Sequence, residues 1–283
     1  MPQLLLDRLL QQFPDAKRQT LKRMVEAGRV RINGRPAHKL KQPVGERDIV
    51  EFIDRQPAPP AHKHRPPFDV IYEDADLLVV NKPAGLLTST VPREPRPTLL
   101  AQVRQYAAEH DPKARIGLIH RLDRDAAGLL VFSKNDTAYE SLKSQFFHHT
   151  VERKYLAVVE GLPKHPKGRI KSSLVERADG TVYSSGTPAK GQAAITDYQV
   201  KRKGKQRALL EVTLQTGRKH QIRVHLSEHE LPIVGDAMYG KQPLSPAPRL
   251  MLLAFRLAFT HPRTAKLIQC ELPMPDEFAQ QVF

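Results

Sequence analysis

The residues most able to do chemistry sit between two apolar arms in Gly117–Lys134, GLIHRLDRDAAGLLVFSK. Leu118 and Ile119 lead into His120, Arg121, Asp123, Arg124 and Asp125, and Leu129–Phe132 lead out. The pattern predicts strand, tight loop, strand, with the charges on the loop. A carboxylate flanked by arginines stays ionised, because a nearby positive charge favours the charged form. An ionised carboxylate in a restricted pocket is ready to act as nucleophile or general base. A salt-bridged surface loop is the competing reading of the same residues.

A second group lies in Thr216–Gly240, TGRKHQIRVHLSEHELPIVGDAMYG. A loop holding Gly217 is expected to open an amphipathic helix near His220, with Ile222 and Leu226 on one face and Arg223 turned elsewhere. Tyr155 sits in the apolar run Val151–Glu160, where core packing is the plain expectation. Two look-alike motifs carry less. His225-Leu-Ser-Glu228-His229 spells a zinc-peptidase pattern, but such a site needs a third ligand well downstream, and only Glu271 and Glu277 remain. His120-Arg-Leu-Asp123 echoes a kinase catalytic loop, yet the chain has neither G-x-G-x-x-G nor D-F-G. His62 and His64 form an H-x-H in a proline-rich stretch, where solvation is expected. No metal and no cofactor is expected.

The elements that must hold these residues read as strands with a few helices. Phe68–Glu73 and Leu77–Val80 read as strands, the second fully buried, and Lys82–Gly85 as a turn. Val91–Pro97, with Arg93 and Arg96, reads as an exposed loop. Thr98 is placed to cap a helix to about His110, and Asn135 one carrying Ala138, Leu142 and Phe146. Gly168–Gly191 reads as polar and turn-rich, with a hairpin signal at Asp179-Gly180. Strands are expected at Ala193–Val200 and Ala208–Leu214, joined by Lys201–Arg207, in which five of seven residues are basic. Leu250–Thr260 and Lys266–Leu272 close the chain. The fold class expected is α+β, with a mixed, mainly antiparallel sheet, flanking helices and a central cleft.

The first 56 residues read differently. Leu5, Leu6, Leu9, Leu10 and Phe13 have helical spacing, Asp15 is placed to cap a second helix containing Leu21, Met24 and Val25, and Gly28 to end it. Val30 and Ile32, Asn33-Gly34 and Asp48–Phe52 then suggest a hairpin sheet. Lysine and arginine outnumber acids here by 12 to 7. Pro57, Pro59, Pro60, Pro66 and Pro67 forbid regular structure and form an extended spacer. The division expected is 1–56, a linker 57–67, and 68–283.

A formal charge of +15 over 283 residues is the footprint of a nucleic-acid partner, since cations on the surface release counterions from phosphates. The single cysteine, Cys270, excludes an internal disulfide framework and leaves no disulfide-linked partner expected. The N-terminal apolar run is interrupted by Asp7 and Arg8, too short and charged for a signal peptide or a spanning helix. A cytoplasmic protein without membrane association is expected, and a monomer.

These motifs together resemble a known family. H-R-L-D-R-x-x-x-G-L-L-x-F-x-K closely resembles the signature of the RluA-type pseudouridine synthases. D-x-x-L-L-V-V-N-K-P-A-G, K-Y-x-A-V-V around Tyr155, G-R-x-H-Q-I-R-V-H and P-I-x-G-D-x-x-Y-G follow in family order. The two helices and hairpin before the linker resemble the S4 RNA-binding domain. The resemblance implies isomerisation of uridine to pseudouridine in RNA, large-subunit rRNA being favoured over tRNA, with no cofactor. It implies Asp123 as catalytic residue, Arg223 paired with it, and Tyr155 stacked on the base. It also implies Arg121 filling the space of a flipped-out base, Arg124 contacting RNA and Leu226 packing at the site, with Lys22, Arg23 and Arg31 on phosphates. Ala126-Ala127 departs from the family's usual polar pair. The alternative is a non-catalytic RNA-binding or ribosome-assembly factor on the same fold.

Overall fold

The computed structural model describes residues 3–14, 16–26, 29–52, 66–90, 96–187, 190–240 and 247–282, without the Arg23 side chain. Asp15, Gly28, His62, His64 and Arg93, as well as residues 57–65 of the expected linker, lie outside them. The chain forms two compact units, Met1–Arg65 and Pro66–Phe283.

The first unit is built on β1 (Gln3–Leu4), α1 (Leu5–Gln12), α2 (Arg18–Glu26), β2 (Val30–Ile32), β3 (Arg35–Pro36), β4 (Pro43–Val44) and β5 (Val50–Phe52). Leu5 and Leu9 of α1 meet Leu21 and Val25 of α2 and Val30 of β2 in one apolar cluster. Spacings of three and four put each helix's apolar residues on one face, which is why two short helices suffice. The β2–β3 turn has Asn33 and Gly34 at φ 50° and 77°, the left-handed pair that a two-residue hairpin requires. Asp48 and Ile49, expected in this last strand, precede β5: the Asp48 carboxylate accepts from the Gly45 N–H at 2.7 Å and from Asn33 Nδ2 at 2.8 Å.

The second unit runs β6 (Asp69–Glu73), β7 (Leu77–Lys82), α3 (Leu99–His110), β8 (Gly117–Leu118), β9 (Ala127–Ser133), α4 (Asp136–Phe147) and β10 (Glu152–Glu160). It continues with β11 (Lys167–Glu176), β12 (Val182–Ser185), β13 (Gln192–Lys203), β14 (Arg207–Leu214), α5 (Gln221–Glu228), β15 (Leu252–Thr260), β16 (Leu267–Glu271) and α6 (Asp276–Val282). These strands form one sheet in the order β12-β11-β13-β14-β10-β15-β9-β7-β6, with β16 beside β15 and β8 beside β9. Its pairs are antiparallel except β9 with β15, which run parallel at Ala127↔Leu253 and Ala254↔Gly128. Mixed α+β architecture with a mostly antiparallel sheet is therefore the fold.

Both faces of the central strands are covered. Leu78, Val80, Leu130 and Phe132 point into a core with α3, and Leu77, Val79, Leu129 and Val131 into a second core with α4. Successive residues point to opposite faces, so burial on both sides explains the unbroken apolar runs. Thr98 and Asn135 accept the N–H groups of Ala101 and Ala138 and start α3 and α4.

Two expectations need correction. Gly168–Gly191 is largely strand: β11 pairs with β13 over Lys167–Leu174 and with β12 over Ser173–Glu176. Its polar residues alternate with buried Ile170 and Leu174, a period-two signal diluted by serines and lysines. Helix α5 is not amphipathic, since every residue from Gln221 to Leu226 is buried. It lies inside the fold, where its polar side chains find protein partners instead of water.

Candidate active site

The loop between β8 and β9 is tied down from the β7 turn. Lys82 is fully buried and donates to the carbonyls of Pro83, Leu86 and Arg124 at 2.9, 2.7 and 2.9 Å. Burial pushes its ammonium down to about 8, against the pull of Asp125 and Asp123. The Gly85 N–H donates to the Arg124 carbonyl at 2.9 Å. Thr88 Oγ1 donates to the Leu122 carbonyl at 2.7 Å and lies 3.3 Å from the Leu122 N–H. Asp123 is thus bracketed on both sides by fixed backbone, and Leu122 beside it is buried. The glycine that follows has a packing reason: a Cβ at Gly128, whose φ is 120°, would stand 2.3 Å from the Ala254 carbonyl oxygen across the parallel pair.

Asp123 faces a cavity of about 500 Å³, lined by Arg121, Leu122, Tyr155, His220, Ile222 and Arg223 among others. Arg223 reaches it from α5, a hundred residues away in sequence, with Nη1 3.4 Å from Asp123 Oδ2. The rest of the guanidinium forks onto Asp236, Nε to Oδ2 and Nη2 to Oδ1, both at 2.8 Å. Asp236 also accepts the N–H groups of Met238 and Tyr239. Burial works against both charges, but each partner overcomes it: Arg223 is raised and Asp236 lowered from their ordinary values. A bidentate pair of this kind fixes the guanidinium plane as well as its charge, leaving one Nη to point at Asp123.

His220 stands at the start of α5 in the left-handed region, φ 53°. Its Nδ1 lies 2.7 Å from the Tyr239 hydroxyl and its Nε2 4.0 Å from Asp123 Oδ1. That hydroxyl also accepts the Val182 N–H at 2.8 Å, which ties the His220 ring to the β12 strand. Burial lowers the His220 imidazole below its ordinary value, with Asp123 opposing. Tyr155, on β10, is 5% exposed and forms a wall of the same cavity. Burial raises its phenol, with Arg153 opposing and Asp123 reinforcing. The direction is wrong for a proton acceptor near neutral pH; an apolar ring face is what Tyr155 offers.

Other sequence expectations fall apart at atomic distances. Arg124 forks onto Asp125 at 2.8 and 3.1 Å and is not among the cavity residues; a neighbouring carboxylate in the same tight loop was the nearer acceptor. Arg121 is exposed and lines the cavity. Leu226 is fully buried in the core, and Ile222, one turn earlier, takes the place at the wall. His120 is no acid or base: its Nε2 accepts the Val131 N–H at 3.1 Å, and burial, helped by Arg153, pushes it down to about 3. Both nitrogens of His225 lie against hydroxyls, Thr196 at 2.8 Å and Ser172 at 2.9 Å. In the basic hairpin, Arg207 turns inward onto Glu160 and Lys201 onto Glu211. Lys82, Thr88, His220 and Asp236 went unassigned at sequence level. The acid of G-D-x-x-Y-G was the readable signal, since a buried arginine needs a buried counterion.

In the first unit Lys22 and Arg31 are exposed, Lys22 within 3.7 Å of Glu26.

Comparison with known proteins agrees with this geometry. The RNA pseudouridylate synthase family model matches residues 76–228, and the chain belongs to that family. An S4 domain model matches residues 5–50. The chain is similar to an RNA pseudouridine synthase of Bacillus subtilis, 34% identical over 95% of this chain and 89% of the relative. It is also similar to the ribosomal large subunit pseudouridine synthase D of Neisseria meningitidis, 32% identical over 94% of this chain and 74% of the relative. Among solved structures it resembles human RNA pseudouridylate synthase domain containing 4, with a TM-score of 0.63 and 24% identity over 74% of this chain and 90% of that one. The protein is an RNA-modifying enzyme that isomerises uridine to pseudouridine. Among the described residues no helix is long and apolar enough to cross a membrane.

Proposed function

We propose that this enzyme isomerises uridines of large-subunit rRNA, with Asp123 as the catalytic residue. The reaction cuts the N1–C1′ bond, turns the uracil and joins it through C5; the C5 proton leaves and N1 gains one. The carboxylate acts at the sugar, by adding to C1′ or by removing the 2′ proton. Both routes need it aimed, and Arg223, itself oriented by Asp236, does that. Tyr155 stacks on the uracil, and Arg121, exposed at the mouth, fills the gap left in the RNA when the base swings out. Residues 1–56 form the RNA-binding part, with Lys22, Arg23 and Arg31 on phosphates, 57–67 the spacer, and 68–283 the catalytic part.

The observation that carries this reading is the single long contact from Arg223 to Asp123, 3.4 Å, beside the tight fork to Asp236. A guanidinium pinned elsewhere orients the carboxylate and leaves it unblocked. The relatives named ribosomal large subunit pseudouridine synthase D support the choice of RNA. Tritium release from large-subunit rRNA carrying 5-tritiated uridine tests it: the wild-type chain is expected to release tritium and Asp123→Asn to bind the RNA without release. Release by the variant removes Asp123 from the chemistry, and RNA binding without release by the wild-type chain selects the assembly-factor reading.

A further inference from the structure

One cation in the cavity has no job in this account. Arg153 lies on β10, two residues before Tyr155, and lines the same cavity. Its guanidinium rests over the Phe146 ring, 5.5 Å from the centroid, and that ring is stacked on its other contact, His120, at 4.5 Å. Gly217 makes room for it: a Cβ there would stand 2.6 Å from Arg153 Nη1. Packing fixes the head, but no acceptor does. Arg153 Nε is buried without a hydrogen-bond partner, and among the described residues no carboxylate pairs with this arginine. Its neighbours differ: Lys154 is paired with Glu211, Lys219 with Glu176 and Arg223 with Asp236. Placing a cation in a cleft without its counterion is costly, and an anionic ligand supplies one.

Beside it stands Phe147, the last residue of α4, 77% exposed and on the same cavity. A phenylalanine turned to solvent at the rim of a basic cleft is a stacking surface for a nucleobase. The end of α4 does not repel a phosphate with open carbonyls, since those of Ser144, Gln145 and Phe146 accept from His148, Thr150 and His149.

We infer that Phe147 and Arg153 form a subsite for the nucleotide adjoining the target uridine, Phe147 stacking its base and Arg153 binding its phosphate. The inference rests on the assignment of RNA to this cavity. KM and kcat for tritium release from large-subunit rRNA, measured across a salt series, test it. Arg153→Met is expected to raise KM about tenfold, more than it lowers kcat, and to flatten the slope of log KM against log salt by about 0.7, the loss of one single-strand phosphate contact. Arg153→Lys is expected to restore the slope. Phe147→Ala is expected to raise KM about five- to tenfold with the slope unchanged, and Phe147→Tyr to stay near wild type. A wild-type slope in Arg153→Met, with or without a lower melting temperature, reduces Arg153 to a packing residue and overturns the inference. So does a wild-type KM in Phe147→Ala, an exposed position that does not threaten the fold. If the wild-type chain releases no tritium from this RNA, the fault lies with the proposed function and not with the subsite. The subsite is then read from binding of the same variants to single-stranded poly(U), where affinities equal to wild type overturn it.

Discussion

Two regions of this enzyme handle charge in opposite ways. In the cleft, the charges that position Asp123 are buried and committed. Arg223 is held by Asp236 before it reaches Asp123, and Lys82 spends its three donors on three carbonyls. In the first unit, Lys22 and Arg31 are exposed on a small frame, and the contact of Lys22 with Glu26 is a long one at the surface. A buried charge is worth a great deal when aimed and is damaging when orphaned. A surface charge is worth about 0–1 kcal/mol in any single pair and acts through its number and through salt. The cleft therefore orients one carboxylate, and the first unit supplies attraction without geometry.

The contrast can be broken at four points. Asp123→Asn is expected to cost the largest factor, at least about 10³ in kcat, with folding and RNA affinity retained; single-turnover tritium release measures it. Asp236→Ala comes next. It strands the Arg223 charge in a buried place, so urea unfolding should show a loss of about 3–5 kcal/mol, together with a fall in kcat because Arg223 is no longer aimed. A stability equal to wild type would mean that Arg223 swings onto Asp123 instead.

Acid gives a smaller effect of known sign. His120 and His225 are held down to about 3 and about 4, in each case first by burial. The unfolded chain takes up these protons below its ordinary imidazole value, so the stability is complete above about pH 6.5 and declines as pH falls toward 4, by up to about 1.4 kcal/mol per pH unit for each ring. Asp76, lowered to about 2 with Arg263 as the main cause, joins only below its own ordinary range, near pH 4. Urea midpoints at pH 7 and pH 5 read the histidines alone; equal midpoints would show that these rings are free to charge in the fold. Last and smallest, Lys22→Ala with Arg31→Ala should raise KM severalfold and flatten the salt slope by about 1–2. An unchanged slope would take both residues off the RNA.

The sequence by itself determined much of this enzyme. Local patterns sufficed for α3 and α4, whose caps Thr98 and Asn135 are read within one turn, and for the hairpin at Asn33-Gly34. They sufficed as well for the unbroken apolar strands β7 and β9 and for the loop that carries Asp123, because each depends on neighbours along the chain. Spacing failed where partners come from afar. The arginine that Asp123 meets at 3.4 Å comes from a helix a hundred residues on. That α5 is buried all round, that Ile222 and not Leu226 reaches the cavity, and that Asp236 stands behind Arg223 follow from the packing of β11, β13 and the 231–240 turn around that helix. Those contacts have no period in the sequence: only closing the sheet brings a buried charge and its counterion to the same place.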